Sequence, residues 1–137
     1  MNILITGGSG FIGSRLIQAL LSKGHSITNL TTQENCTRTS RVRNIYWNAH
    51  ERICNLDVNE LFDGVIHLAG YSVSNKWSKK NKELMVSSRL ESTAFLSELI
   101  QNMEIKPNWF IGASAVGYYA DSASWLTEDS EKGNGFL

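Results

Sequence analysis

The stretch ILITGGSGFIG at residues 3–13 decides the fold of this 137-residue chain. Its first part is a short run of branched apolar residues, which predicts a strand over residues 2–6 that ends at the glycines. From Phe11 onward the apolar residues recur at helical spacing, and the Lys23-Gly24 pair is typical of a helix end. The sequence therefore predicts a strand, a glycine turn and a helix in succession.

The glycine turn has the spacing of a phosphate-binding loop. It satisfies GxGxxG from Gly8 and TGxxGxxG from Thr6, with glycines for a tight turn, for close backbone approach to a pyrophosphate and for helix packing. The N-terminus of the following helix supplies free N–H groups and a positive dipole. No Lys-Ser or Lys-Thr pair follows the loop, which disfavours a P-loop NTPase. The alternative to a binding loop is a mobile turn. If the loop binds a dinucleotide, the predicted binding residues are Thr6, Gly7, Gly8, Ser9, Gly10, Phe11, Ile12 and Gly13.

Strand and helix patterns continue along the chain. Apolar or β-branched runs predict further strands at residues 26–30, 45–47, 64–69 and 109–113. A long amphipathic helix is predicted from Ser78, a suitable N-cap, to Met103, shortly before Pro107. Strands that alternate with helices imply right-handed crossovers. The predicted fold class is α/β, an incomplete Rossmann-like doubly wound parallel sheet of about five strands, in one domain over residues 1–137.

The composition limits the classes of partner. The formal net charge is zero, 42% of the residues are hydrophobic and 19% are charged. This is typical of a soluble globular protein without a general attraction to polyanions, so no nucleic acid partner is expected. Cys36 and Cys54 form no CxxC pair, so neither a metal site nor a disulfide is predicted. Because no apolar run approaches about 18 residues and no basic leader is present, we expect no membrane span and a cytoplasmic location.

The end of the second predicted strand bears on the choice of dinucleotide. An acid there would bind the adenosine ribose of NAD, and a nearby base would bind the 2′-phosphate of NADP. Here the strand ends in Thr31-Thr32, so neither is present. Thr31 could donate to a phosphate, and Arg38, Arg41 or Arg43 could fold over it, which favours NADP with NAD as the alternative. The arginines could equally form a solvated loop.

Four motifs in order give the sequence a family resemblance. ITGGSGFIGS, DGVIHLAG, SRLEST and FIGASAVGYYAD together resemble the extended short-chain dehydrogenase/reductase superfamily. Within it, the chain is most similar to the branch of sugar-nucleotide epimerases of the NAD-dependent epimerase/dehydratase type. The resemblance covers essentially the whole chain, and it implies NAD(P)-dependent hydride transfer on a small-molecule substrate, a sugar nucleotide or a related alcohol or ketone.

The resemblance also implies cofactor contacts outside the glycine loop. Leu68, Ala69 and Gly70 fall where the family's fourth strand ends against the adenosine ribose. Asn48 stands where this branch often has an aspartate close to adenine, and an ordinary strand-end cap is the alternative. Arg89 replaces an asparagine of the superfamily's proton relay. Because arginine keeps its charge it cannot relay protons, and it could instead cap the sheet edge.

Two further positions in the motifs carry interpretations of their own. His67 alternates into the sheet interior and is interpreted as a satisfied core histidine rather than a ligand. Lys76-Trp77 matches an Arg-Trp pair of the branch, and a cation beside an aromatic ring could hold a phosphate and stack a base. Since lysine lacks the bidentate fork of arginine, that contact would be weaker here.

The catalytic candidates are Ser114, Tyr118 and Tyr119. By resemblance, Ser114 at the carboxyl end of the fifth predicted strand orients the substrate oxygen, and the family's acid/base is the tyrosine of a YxxxK pair. That pair is absent from the sequence, so Tyr118 and Tyr119 are the local substitutes. A non-catalytic NADP-binding or sensing module is therefore the alternative function.

The family's substrate region has no counterpart in the chain. We therefore expect the N-terminal portion of a longer protein, which alone binds its cofactor weakly and catalyses nothing. The edge of the fifth predicted strand would lack a neighbour in such a portion, and an uncovered edge could support self-association. The sequence does not name the substrate.

Overall fold

The computed structural model describes residues 1–34 and 41–136, apart from the side chain of residue 116. A 3-10 turn over Val116–Tyr118 follows the last strand. The main elements, in chain order, are β1 (Asn2–Thr6), α1 (Phe11–Ser22), β2 (Ser26–Thr31), β3 (Val42–Asn48), β4 (Ile53–Cys54), β5 (Gly64–His67), α2 (Lys79–Asn102) and β6 (Trp109–Gly112).

Within the described residues the strands form one six-stranded sheet in the order β4-β3-β2-β1-β5-β6. Neighbouring strands are parallel except β3 and β4, which are antiparallel. From β1 the chain moves outward to β4, and it then returns to the other side of β1 as β5 and β6. The order reverses between β1 and β5, which is the point where ligands bind in open parallel sheets. The predicted Rossmann-like doubly wound sheet is confirmed.

Side chains of the central strand β1 alternate between the two faces of the sheet, and a helix covers each face. Ile3 and Ile5 lie in the apolar cluster that α1 covers with Leu16. Leu4 lies in the cluster on the other face, to which α2 contributes Leu96. These three β1 side chains are at most 2% exposed. An apolar, β-branched run such as ILI is typical of a strand that is buried on both faces of a parallel sheet.

The helix boundaries follow the predicted start and stop signals. α1 begins after Gly10 and is followed by Lys23 at the C-cap and by Gly24 at φ 83°. α2 begins after Ser78, whose side-chain oxygen accepts the Asn81 N–H at 3.3 Å. Glycine adopts positive φ without a Cβ clash, and a serine hydroxyl satisfies an open N–H, so both signals have local physical causes.

Three details of the sheet differ from the prediction by more than one residue. The third strand spans Val42–Asn48 instead of residues 45–47, and the fourth predicted strand ends at His67 instead of residue 69. β4 has no counterpart among the predicted strands. It is two residues long and pairs Cys54 with Trp47, and two residues are too few to show the alternation by which a strand is recognised.

β6 is an edge strand within the described residues, because β5 is its single neighbour in the sheet order. Phe110 and Ile111 of this strand are 47% and 55% exposed. An exposed apolar edge is a surface on which another chain segment can pair. Self-association through it stays a prediction.

Three features of the described residues concern membrane, metal and cysteine chemistry. No helix in residues 1–34 and 41–136 combines the length and apolar character that a membrane crossing requires. The same residues contain no cluster of three or more His, Cys, Asp or Glu side chains suited to a metal ion. Cys54 has a free thiol, and burial raises the pKa of that thiol, while Cys36 lies outside the described residues.

Candidate functional site

The crevice between the ends of β1 and β5 leaves no room for a side chain at Gly7. Gly7 has φ 73°, and a Cβ there would lie 2.7 Å from the Leu68 carbonyl carbon and 2.8 Å from the Ala69 nitrogen. The strands are joined just before this point, where the Leu68 N–H donates to the Thr6 carbonyl at 3.1 Å and the Ala69 N–H donates to the Thr6 hydroxyl at 3.2 Å. Both the backbone angle and the space therefore require glycine.

The remaining glycines of the loop have different roles. A Cβ on Gly8 would overlap the Asn29 side chain, and one on Gly13 would overlap the Gly7 carbonyl. At Gly10 the nearest atom to the Cβ position is the Gly7 carbonyl oxygen, 3.2 Å away. Gly10 is also the N-cap of α1 and has no side chain to bond the helix N–H groups. The loop and the uncapped helix end, called the cradle below, offer free N–H groups of the kind that bind a pyrophosphate, and Gly10 adds no side chain beside them.

A cleft of about 590 Å³ lies over the carboxyl ends of β1, β2, β3 and β5. Its size falls within the range of small-molecule and cofactor sites. The structure brings six of the predicted cofactor residues to its wall, namely Gly7, Ser9, Thr31, Asn48, Ala69 and Gly70.

The other predicted cofactor residues do not line this cleft, namely Thr6, Gly8, Gly10, Phe11, Ile12, Gly13, Leu68 and Arg89. Thr6 is fully buried beneath the loop, and Phe11 and Ile12 are 89% and 67% exposed at the start of α1. Leu68 and Arg89 line a neighbouring cavity. The backbone N–H groups of the first helical turn, rather than the Phe11 and Ile12 side chains, are therefore the groups that could bind an anion here.

The neighbouring cavity, of about 320 Å³, holds two of the catalytic candidates. Ser114 and Tyr118 line it together with Arg89 and His67, and Ala69 belongs to both the cavity and the cleft. Tyr119 does not line this cavity, although its ring packs edge-on against Tyr118 with centroids 5.1 Å apart. The cavity thus joins a hydroxyl, a phenol and a guanidinium beside the dinucleotide cleft. Its lining residues are His67, Leu68, Ala69, Arg89, Thr93, Ala113, Ser114, Ala115 and Tyr118.

Arg89 is fixed by backbone carbonyls. Its Nη1 donates to the Met85 carbonyl at 2.9 Å and to the Tyr71 carbonyl at 3.1 Å. It therefore joins α2 to the segment that follows β5. A Cβ on Gly70 would lie 3.1 Å from the Arg89 Cζ, so the guanidinium also packs against this part of the cleft wall. None of these partners lies on a strand, so the alternative in which Arg89 caps the sheet edge stays a prediction.

Polar groups near the end of β2 have partners in the protein. The Thr31 hydroxyl accepts the Gln33 N–H at 3.2 Å, which leaves its own O–H free to donate. Arg41 donates to the Leu21 carbonyl at 3.0 Å, and Arg43 forms an ion pair with Glu60. Neither arginine lines the cleft, and Arg38 lies outside the described residues. Of the groups predicted to favour a 2′-phosphate, Thr31 is the one at the cleft.

Asn48 lines the cleft and also caps the end of β3. Its Oδ1 accepts the Glu51 N–H at 3.1 Å. Both interpretations of this residue therefore have a structural basis, because the capping bond uses the oxygen and leaves the amide N–H₂ as a donor.

His67 is buried in a network of hydroxyls. Its Nδ1 hydrogen-bonds the Thr6 hydroxyl at 2.6 Å, and its Nε2 lies 3.2 Å from the Thr93 hydroxyl and 3.3 Å from that of Ser92. Burial lowers the pKa of the His67 imidazole, because a charged ring loses hydration there. The interpretation as a satisfied core histidine is confirmed, and the network joins β1, β5 and α2 below the site.

The Lys76-Trp77 pair does not line the cleft. Trp77 lines a shallow groove of about 710 Å³ on α2, and its Nε1 donates to the Val73 carbonyl at 2.9 Å. The Lys82 ammonium lies over the Trp77 ring, 5.5 Å from its centroid. Among the described residues, the pair has no contact that would place a phosphate at the dinucleotide cleft.

Sequence reasoning missed three residues of the site. His50 and Glu91 both line the cleft, and the His50 Nδ1 lies 3.1 Å from a Glu91 carboxylate oxygen. The two are 41 positions apart, and no sequence pattern connects them. Asn29 accepts the Gly8 N–H at 3.1 Å. For Asn29 the sequence did contain a signal, because a polar residue at a buried position of an apolar strand indicates a specific hydrogen-bond partner.

Comparisons with known proteins agree with this geometry. The sequence model of the family described as NAD dependent epimerase/dehydratase matches residues 3–135. An epimerase family protein of Staphylococcus saprophyticus is 39% identical over 119 residues, which cover 85% of this chain and 38% of that relative.

Two solved structures are similar in sequence and fold. A human epimerase family protein solved with NADPH has a TM-score of 0.79 and 27% identity, and the match covers 98% of this chain and 44% of that one. A UDP-glucuronic acid 4-epimerase variant from Bacillus cereus, in complex with UDP-4-deoxy-4-fluoro-glucuronic acid and NAD, has a TM-score of 0.71 and 26% identity over 96% of this chain and 46% of that one. The chain spans less than half the length of the curated relative and of both structures.

Substitution of two glycines with positive φ should separate backbone strain from crowding. Gly24 has φ 83° and open space around its Cβ position, whereas Gly7 has φ 73° and backbone atoms there. We expect Gly24→Ala to cost about 1 kcal/mol in the free energy of unfolding, and Gly7→Ala to cost about 1–3 kcal/mol more. Urea denaturation of the two variants measures the difference. Equal losses would contradict the close approach at Gly7.

The buried imidazole predicts how stability changes with pH. Its pKa is lowered in the folded protein from an unfolded value of 6.5, so the stability from the neutral ring is complete above pH 6.5 and is lost as the pH falls towards the folded pKa. We expect His67→Gln to cost about 1–3 kcal/mol at pH 7.5, because hydroxyl partners lose a bond. Below pH 6.5 the gap to the unmodified protein should shrink. Urea denaturation at several pH values measures it, and a constant or widening gap would show that the buried ring carries no such penalty.

Proposed function

Since the chain belongs to the NAD dependent epimerase/dehydratase family, we propose that residues 1–137 form the NAD(P)-binding Rossmann domain of a longer epimerase or reductase. Its substrate would be a sugar nucleotide or a related alcohol or ketone. The observation that carries the proposal is the glycine loop, in which Gly7 packs against the end of β5 and lines the cleft, and Gly10 leaves the start of α1 without a side-chain cap. A cytoplasmic location stays part of the proposal.

The residues around the cleft suit the parts of a dinucleotide. The N–H groups at the start of α1 would hold the pyrophosphate, because they carry the positive end of the helix dipole. The adenosine half would lie between Thr31, Asn48 and Ala69, which line the cleft at the ends of β2, β3 and β5. The small side chain of Ala69 allows a ribose to approach the strand end closely.

We propose NADP as the preferred dinucleotide, with NAD as the alternative. Thr31 and Thr32 both line the cleft and offer hydroxyl donors where an acid would repel a 2′-phosphate. The human relative solved with NADPH supports this choice, and the epimerase variant solved with NAD supports the alternative.

The neighbouring cavity supplies the groups for chemistry on a substrate. A bound nicotinamide would accept and return a hydride there. Ser114 would orient the substrate oxygen through its hydroxyl, and Tyr118, on the same wall, would donate or accept the proton. Arg89 would contribute a fixed positive charge, since its bonds to two carbonyls hold it and its guanidinium does not release protons. A catalytic role for Tyr119 stays a prediction.

The alternative function is a non-catalytic NADP-binding or sensing module. The observation that favours it is that Arg89, the one Lys or Arg on the wall of the smaller cavity among the described residues, bonds the Met85 and Tyr71 carbonyls rather than Tyr118. A tyrosine acts as an acid/base near neutral pH when a cation lowers its pKa. The cradle has no such requirement, because it consists of backbone groups and glycines.

Dinucleotide binding tests the proposal directly. We expect the folded chain to bind NADP more tightly than NAD in a calorimetric titration. Gly10→Ala should weaken binding at least about tenfold, because the new Cβ would enter the cradle, while the denaturation midpoint stays close to that of the unmodified protein. Gly24→Ala, at the opposite end of α1, is the matched control and should keep full affinity. Binding that is unaffected by Gly10→Ala would refute the cradle, and tighter NAD binding would overturn the NADP preference.

Turnover distinguishes the enzyme from the module. The assay uses a protein of the full length of the relatives and a panel of sugar nucleotides. We expect it to form product and to change the nicotinamide absorbance. Tyr118→Phe should lower kcat by about 100-fold, and Ser114→Ala should lower it as well. Tyr119→Phe is the control, because Tyr119 does not line the cavity. Binding without turnover would favour the module, and a loss confined to Tyr119→Phe would contradict the role of Tyr118.

A further inference from the structure

A buried amide lies directly beneath the glycine loop. Asn29 of β2 is 5% exposed, and its register neighbours are Ile5 on β1 and Asn44 on β3. It lies two residues after Ile27, so both side chains face α1 through the apolar cluster on that side of the sheet. An amide in such surroundings is costly unless its donors and acceptors are bonded.

The amide of Asn29 is bonded at both ends. Its Oδ1 accepts the Gly8 N–H at 3.1 Å, and its Nδ2 donates to the Asn44 Oδ1 at 2.8 Å. The bond to Asn44 satisfies the amide N–H₂ within the sheet, and the oxygen is left for the loop. The absence of a Cβ at Gly8 makes room for this contact, because the Asn29 side chain occupies the Cβ position.

This contact turns the middle of the loop away from the cleft. Gly7 and Ser9 line the cleft and Gly8 between them does not. The Gly8 N–H is therefore directed into the sheet, while the residues on either side face the proposed ligand. Gly7 is held by the end of β5 and Gly13 by the Gly7 carbonyl, and Asn29 supplies the third support, from below.

We propose that Asn29 is a positioning residue for the dinucleotide cradle, an inference that rests on the proposed function. Its hydrogen bond to Gly8 fixes the loop in the shape that presents the start of α1 to a pyrophosphate. A residue that only filled the core could be replaced by an apolar side chain of similar volume with little effect on the loop. The positioning role requires that the acceptor at this position be kept.

The test uses hydrogen exchange and affinity together. Asn29→Leu removes the acceptor at similar volume, Asn29→Asp keeps an acceptor oxygen, and Asn44→Ala is the control that leaves the Gly8 bond in place. In the absence of cofactor, we expect the Gly8 amide to exchange about three- to tenfold faster in Asn29→Leu, and to stay protected in Asn29→Asp and Asn44→Ala. NADP affinity should fall by a similar factor in Asn29→Leu and little in Asn44→Ala.

The outcomes separate this inference from the proposed function. Exchange of the Gly8 amide at the rate of an exposed loop in the unmodified protein overturns the positioning role, whether or not any variant folds. Equal NADP affinity of Asn29→Leu and the unmodified protein also overturns it. If the unmodified protein binds no nicotinamide dinucleotide, the proposed function fails, and exchange at Gly8 still decides whether Asn29 holds the loop.

Discussion

The contact between Gly7 and the end of β5 is the constraint on which the rest of the site depends. β1 pairs with β5 in the sheet, and the chain that leaves β1 at Gly7 runs directly beside the end of β5. With Leu68 and Ala69 backbone atoms within 2.8 Å of the Gly7 Cβ position, no side chain fits along that path. The close passage brings the N-terminus of α1 over the point where the strand order reverses. The cleft over the strand ends therefore begins at this loop, with Gly7 and Ser9 on its wall.

Local signals made much of the fold predictable. The start of α2 at Ser78 and the end of α1 before Gly24 depend on bonds within one helical turn, and both were predicted within a residue. The extent of β3 was not predicted from the sequence. Arg43 and Asn44 are polar, and they are held in the sheet by pairing with β2, fifteen residues earlier in the chain. β4 depends in the same way on a pairing with β3 and has no pattern of its own.

The candidate site shows the same division between local and distant causes. The cradle is contained in residues 6–13, and its spacing has one stereochemical explanation, so it could be predicted from the sequence. The hydrogen bonds of Arg89 could not be predicted in this way. Its partners are the backbone carbonyls of Tyr71 and Met85, and every residue has such a carbonyl. His67 is intermediate, since the strand pattern placed it inside the sheet but could not name the hydroxyls of Thr6, Ser92 and Thr93.

The cradle and the proposed catalytic hydroxyls depend on different kinds of support in this chain. The cradle is held on three sides by Leu68, Gly13 and Asn29, all through contacts within the packed sheet and α1. Ser114 and Tyr118, in contrast, lie on exposed backbone after β6, where a short 3-10 turn and one bridge between Tyr119 and Lys132 order the chain. Hydroxyls on such a surface have their orientation set by whatever packs against it. A cradle of this kind can therefore be complete where the geometry of the proposed catalytic hydroxyls still depends on what packs against them.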